Sequence, residues 1–460
     1  MTVSILAGGC RLVRNVSEPP PQVSRSRLGG LEGGALNRSA TATDKIALLG
    51  IVVLSLLGSE RGLLAQSGAS ASGDSAPSPR LRALVGEIQR GNAGALSIFW
   101  RDIQGNAPLV EDIPDRADLR RVTFLVRTKD ANAPMLIGPM LPPLTRHPLR
   151  QLVGTDVWFL TADLPAAARF TYGFEDQAGK QFVDSLNPRR AGFESIAELP
   201  LAPPQEWIAT RPGLPTGRIH EDFIASTVLH QTRRIAVYTP PDYPKPAETY
   251  GLLIVLDGEE YRSSIPTPTI LDNLLGSRRI APLVAVFVDN VDQETRTREL
   301  TCSDDFSKFL AVELVPRMRR DFRVSADPSR VIVAGSSFGG LAATCVALEY
   351  ADVVGNVLSQ SGAYWFYPGW QPRSPDSTQL RWLARRVASM DRQKVQFYLE
   401  AGVFETFPPL DLLGSNRTFR DTLVAKGYRV TYSEFAGGHQ SLNWRGSIAY
   451  GLMSLAPPGR

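Results

Sequence analysis

Two hydrophobic rhythms divide the chain. From Ile219 onward, short β-branched apolar runs alternate with longer stretches of helical spacing. Arg234–Thr239, Leu252–Asp257, Leu283–Asp289, Val331–Gly335, Val354–Ser359, Val395–Ala401 and Tyr428–Phe435 predict strands. Asp304–Asp321, Phe338–Tyr350, Thr378–Met390, Asn416–Lys426 and Leu442–Leu452 predict helices. Such alternation predicts an α/β unit over 219–460, a mostly parallel sheet with helices on both faces. Over 81–202 the rhythm changes to short β-rich runs broken by turns, including Ala95–Trp100, Arg121–Arg127, Val157–Thr161 and Arg169–Phe174. That spacing predicts an all-β sandwich, joined to the α/β unit by a proline-rich linker over 203–218.

One strand-to-helix junction carries chemistry. The run Val331–Gly335 breaks into Gly335-x-Ser337-x-Gly339 and continues as the helix-forming Phe338–Tyr350. An apolar strand, a glycine-flanked serine and a helix form the context of a nucleophile elbow, as found in α/β-hydrolases. Glycine on either side lets the chain turn sharply and lift the hydroxyl clear of the sheet. Serine is a weak nucleophile and needs a base, itself held by a carboxylate.

The chain has four histidines, and only His439 follows Ser337, as the order Ser, acid, His requires. The other three, His147, His220 and His230, lack metal-ligand spacing, so neither a metal nor another cofactor is expected. The acid is expected after Val395–Gly402, where Glu405 is favoured over Asp411, which lies beyond Pro408 and Pro409. Oxyanion donors are expected from the backbone amide of Phe338 and from Gly258 or Glu259, after Leu252–Asp257.

Composition changes the picture at the N-terminus. In 460 residues the net charge is only +4, which argues against a nucleic-acid surface. Residues 1–80 are rich in Gly, Ser, Ala and Arg, with one apolar run, Ile46–Gly58. That run is short for a membrane span and reads as the apolar core of a signal peptide over 46–65, with no stable span expected after processing. Met1–Lys45 is long for the segment preceding such a core, which suggests a start site further downstream. Residues 66–80 read as a flexible tether. A periplasmic or secreted location is expected, with a cytoplasmic one as the alternative. Cys302 and Cys345 allow one disulfide or two buried thiols.

Longer stretches carry a resemblance. Val331–Gly340, Val357–Trp365, Leu256–Glu259, Arg296–Leu300 with Cys302, and Gly437–Gly446 resemble the catalytic part of the enterochelin (enterobactin) esterase family, relatives of the esterase D group. Phe99–Asn106, Gly154–Trp158 and Asp184–Pro188 resemble that family's immunoglobulin-like lead domain. The resemblance implies a serine carboxylic-ester hydrolase that opens the trilactone of a ferric catecholate siderophore, a small-molecule partner carrying iron. It supports Ser337 as nucleophile, His439 as base and Glu405 as acid. Arg296 becomes a candidate contact for an anionic catecholate, and Trp365 and Tyr364 candidate walls of an aromatic pocket. The leader departs from the intracellular esterases of that family. It keeps open an exported esterase on feruloyl or acetyl polysaccharide esters. An acyltransferase with the same triad and a non-catalytic binding protein are further alternatives.

Overall fold

Five strands that are buried along their whole length set the architecture: Gly251–Leu256, Leu283–Val288, Val331–Ser336, Asn356–Gln360 and Gln396–Gly402. Apolar side chains on both faces of a strand require cover on both sides, which is the condition of a parallel sheet under helices. The computed structural model describes residues 78–459, apart from 142–144, 246–248, 372–375, 377 and 409. The expected signal peptide therefore lies outside the described residues.

Eight strands form the large sheet, in the order Arg218–Ser226, Gln231–Thr239, Leu283–Val288, Gly251–Leu256, Val331–Ser336, Asn356–Gln360, Gln396–Gly402 and Arg429–Phe435. The first two strands pair antiparallel to their neighbours and the rest run parallel. Helix Phe338–Glu349 on one face and helix Ser441–Leu455 on the other fill the two cores flanking the sheet. This is an α/β-hydrolase arrangement; seven of its strands fall where the sequence places them to within a few residues, and the edge strand Arg218–Ser226 is not among those expected.

Two antiparallel sheets lie upstream. One contains Leu109–Asp112, Leu119–Arg127, Val157–Pro165 and Arg150–Gln151, and the other is built around Met135–Ile137, Arg169–Glu175 and Glu194–Glu198. Val122, Phe124, Phe170, Tyr172 and Phe174 fill the space between them. The stretch Ala95–Trp100, expected as a strand, is helical and belongs to helix Ala95–Ile103. Its buried positions, Ala95, Phe99, Trp100 and Ile103, share one helical face, so the period of 3.6 overrides the β preference of Ile98, Phe99 and Trp100. With helix Pro79–Gln89 it covers the outer face of the first sheet through Leu125, Val157 and Phe159. The proline-rich stretch is packed down: Trp207 is buried, and Asn273 Nδ2 donates to the carbonyls of Trp207 and Ala209 at 2.7 and 2.8 Å. Lead and catalytic regions belong to one compact unit.

Candidate active site

Ser337 occupies the turn between strand Val331–Ser336 and helix Phe338–Glu349 with φ 57° and ψ −120°. A non-glycine residue persists there only when its surroundings over-determine it. The neighbouring glycines are that surrounding: a Cβ on Gly335 would come 2.6 Å from the backbone of Gly339, and one on Gly340 would strike Ser359 Oγ at 2.4 Å. Strand and helix are thus pressed together at the turn. The Ser337 amide donates to the Gln360 carbonyl at 3.0 Å, and its carbonyl accepts from Ala363 at 3.0 Å. Phe338 is the first helical residue, so its amide has no acceptor within the helix.

Glu405 and His439 come together from the loops after the last two strands of the sheet. Glu405 is fully buried, and its Oε1 lies 3.6 Å from His439 Nδ1. That distance exceeds a hydrogen bond, and His439 Nδ1 and Glu405 Oε2 are both buried without a partner. Such contacts are often long in unliganded sites and tighten around substrate. Two residues that sequence reasoning missed hold the pair. Ser361, at φ 51°, donates its hydroxyl to Glu405 Oε1 at 2.7 Å and accepts from Trp444 Nε1 at 3.0 Å. The Trp444 ring meets His439 edge-on at 4.9 Å between centroids. Both lie within stretches that carry the family resemblance, which was the available signal. Asp411, the alternative acid, is exposed and caps helix Leu412–Ala425, accepting from Gly414 at 3.0 Å.

Of the two amides expected from the loop after strand Gly251–Leu256, one is already hydrogen-bonded. Gly258 donates its amide to the Val288 carbonyl at 2.9 Å and is therefore committed to the neighbouring strand. Asp257, at φ 55°, makes the turn that leads from the strand into Gly258 and Glu259. Arg296 is held by the same loop. It makes a two-pronged ion pair with Asp257 at 2.6 and 2.7 Å, while Glu299 pairs instead with Arg233 at 2.6 Å. Burial disfavours the Arg296 charge, but Asp257 outweighs it and raises the guanidinium pKa. Glu260, next along the chain, is pushed up to about 7 by burial and the nearby Asp257 charge, with Arg296 opposing.

The expected aromatic pocket divides. Tyr364 is stacked on Phe419 at 4.1 Å, and its hydroxyl contacts Ser359 and Thr344, each at 2.9 Å. Those partners are buried beneath the elbow, so Tyr364 is a core residue. Trp365 lies beside the elbow, 5.9 Å from the Phe338 ring and 5.0 Å from that of Trp370, with its Nε1 buried and unpartnered. The Arg296 guanidinium lies over the Phe338 ring, 5.9 Å from its centroid.

Below the site a second carboxylate is enclosed. Glu400 accepts from Gln360 Nε2 at 2.8 Å, from Ser447 Oγ at 2.5 Å and from Tyr398 OH at 3.3 Å. Burial pushes its pKa up to about 7 despite those three donors. Cys302 and Cys345 are joined as a disulfide, which ties the turn after helix Gln293–Leu300 to helix Phe338–Glu349. Among the described residues, no cluster of His, Cys, Asp and Glu could hold a metal ion. None of the described helices is long and apolar enough to cross a membrane.

A glycine-flanked serine at the elbow of this sheet, with a histidine and a carboxylate on the last two strand-end loops, defines a serine hydrolase of the α/β class. The family model described as "Putative esterase" matches residues 226–455. Among curated proteins, the iron(III) enterobactin esterase of Escherichia coli O6:H1 is 30% identical over 339 residues, spanning 67% of this chain and 82% of that protein. An iron(III) salmochelin esterase of the same organism is 26% identical over 408 residues, covering 81% of this chain and 96% of its own. The crystal structure of an enterobactin esterase from Shigella flexneri, determined in the presence of enterobactin, superposes with a TM-score of 0.62 at 27% identity, over 78% of this chain and 97% of that one. The chain belongs to the enterochelin esterase family and is a carboxylic ester hydrolase.

Proposed function

We propose that the protein hydrolyses ester bonds of a catecholate siderophore, its iron complex included, through Ser337, His439 and Glu405. Ser337 Oγ attacks the ester carbonyl carbon and passes its proton to His439, whose positive charge is balanced by the Glu405 carboxylate. The amides of Phe338 and Glu259 stabilise the tetrahedral oxyanion. Collapse expels the alcohol, which takes the proton from His439. Water then attacks the acyl-enzyme by the same route in reverse and releases the acid. The observation that carries this reading is the buried approach of Glu405 to His439, on the loops that the α/β-hydrolase order assigns to acid and base. The substrate class rests on the names of the relatives, which act on enterobactin and salmochelin.

Two further readings belong to the proposal. The paired antiparallel sheets of the lead region are immunoglobulin-like, as the resemblance implies. The protein works in an oxidising compartment, periplasmic or secreted, where a disulfide such as Cys302–Cys345 persists.

Ser337→Ala is expected to abolish turnover of a p-nitrophenyl ester, a loss of at least roughly 10³-fold, while the thermal transition is kept. Undiminished turnover removes the triad. Ferric enterobactin, a glucosylated analogue and feruloylated xylan, incubated in parallel and read by mass spectrometry, test the substrate. Ring-opened and monomeric catecholate products are expected; their absence, with ferulate release in their place, assigns the enzyme to plant esters.

A further inference from the structure

The lead region lies outside the α/β sheet, yet it touches both loops that carry His439 and Glu405. On the base side, the residue immediately after His439 is Gln440, buried against the lead region. Its Oε1 accepts from the Thr171 amide at 3.0 Å, and its Nε2 donates to the Thr171 hydroxyl, so one side-chain amide grips one residue of strand Arg169–Glu175 by two bonds. Two residues earlier on that strand, the Arg169 amide donates to the Ala436 carbonyl at 2.9 Å. Between these two anchors the base loop runs through Gly437 and Gly438, and a Cβ on Gly438 would strike Pro139 of the lead region at 2.6 Å.

On the acid side, the residue immediately before Glu405 is Phe404. Its ring lies within the core between the lead sheets, edge-on to Phe170 at 6.0 Å, with Val403 and Ala436 packed against the same core. The two loops are also bound to each other: Phe404 donates its amide to the Gly437 carbonyl at 3.1 Å, and Val403 to the Phe435 carbonyl at 2.9 Å. Ser337 differs, because the parallel sheet and its helix build the elbow without any of these contacts.

We infer that the lead region is a working part of the catalytic apparatus, strand Arg169–Glu175 fixing the base and acid loops through Gln440 and Phe404, with Gln440 a positioning residue for His439. The inference rests on the proposed roles of Ser337, His439 and Glu405. Ser361 and Trp444 hold Glu405 and His439 from the catalytic region, and a rigid support flanking each residue from the lead region adds the constraint that a base loop with two adjacent glycines needs. Gln440 thereby acts on the rate through His439 while leaving substrate affinity alone.

The experiment uses the full chain. Gln440→Met keeps the length of the side chain and removes both bonds to Thr171. With a p-nitrophenyl ester, kcat is expected to fall roughly 10- to 100-fold with KM within about twofold of the parent, the size of effect expected from misplacing a catalytic group by about 1 Å. Labelling of Ser337 by a fluorophosphonate should slow in parallel, since it draws on the same base. Trp100→Phe, which breaks the 2.9 Å bond to Asp156 on the far face of the lead region, serves as the stability control, with a lower Tm and unchanged kcat. An unchanged kcat in Gln440→Met overturns the inference, as does a fall that Trp100→Phe reproduces at equal Tm loss. If Gln440→Met does not fold, Thr171→Val, which removes the hydroxyl bond and keeps the amide bond, takes its place: a fall in kcat of roughly 3- to 10-fold at unchanged KM is expected, and an unchanged kcat overturns the inference. Ser337→Ala runs beside them: turnover that survives it removes the triad itself, whereas a dead Ser337→Ala beside a fully active Gln440→Met removes only the support.

Discussion

Single side chains at this site are legible in the sequence where chain order constrains them and illegible where a distant partner does. Ser337 and His439 follow from a motif and an order rule, and Glu405 from its nearness to a strand end; the structure brings His439 and Glu405 together and leaves Asp411 as a helix cap. Arg296 shows the limit. Its charge suggests an anionic ligand, but its partner is Asp257, 39 positions away, and no local pattern announces that pairing. Tyr364 fails for a related reason, since an aromatic residue beside an elbow reads alike whether it faces substrate or Thr344. Glu400 is a further residue that only packing reveals, and it makes a prediction. Its folded pKa, about 7, lies above the unfolded value of 4.5. The unfolded chain therefore binds fewer protons between those limits, and stability falls as pH rises. The contribution is complete below pH about 4.5 and lost as pH passes through about 7, a change of up to about 3 kcal/mol. Glu260 adds a slope of the same sign. Denaturant titrations from pH 4.5 to 8 should show a decline in the parent that Glu400→Gln reduces by about half; an equal slope in the variant places the titration elsewhere.

Among elements, those of the parallel sheet were legible because a strand buried on both faces leaves an unbroken apolar run, and Leu283–Val288 is the clearest case. The lead region was harder. Ala95–Ile103 reads as β by residue preference and helical by period, and the period prevails because its face must cover Leu125 and Phe159. The elbow joins the two kinds of information: motif reading supplies the glycines, and the structure supplies the distances that make them necessary. Gly335 is the sharper test, since its absent Cβ leaves room for the Gly339 backbone and not for a flexible side chain. Gly335→Ala should move the first turn of the nucleophile helix outward by a fraction of an ångström to about 1 Å and lower kcat by roughly 10²-fold. Circular dichroism should remain that of a folded α/β protein. A variant with parental kcat would mean that the strand and helix can separate without moving Ser337.

At the scale of the whole molecule, the expectation of two pieces on a proline-rich linker changes most. Domains joined by a linker move relative to one another unless their interface is large and apolar. Here Phe404, a residue of the catalytic region, is only 4% exposed and sits within the core of the lead region, while Trp207 of the linker is buried in a core of the catalytic sheet. Each region completes its interior with a side chain from beyond its own boundary. No windowed reading of the sequence finds this, because Phe170 and Phe404 meet across more than half of the catalytic region. Shared cores make unfolding cooperative, since exposing one interior also strips contacts from the other. Calorimetry of the full chain should give a single transition covering lead and catalytic regions together. Phe404→Ala removes a buried aromatic ring and should cost about 3–5 kcal/mol. Because the cavity opens in one region while the backbone belongs to the other, the variant should either lower the single transition or split it, with the lead region melting first. Two well-separated transitions in the parent protein would mean that the interiors are independent, and a Phe404→Ala variant with parental Tm would mean that the ring contributes nothing to holding them together.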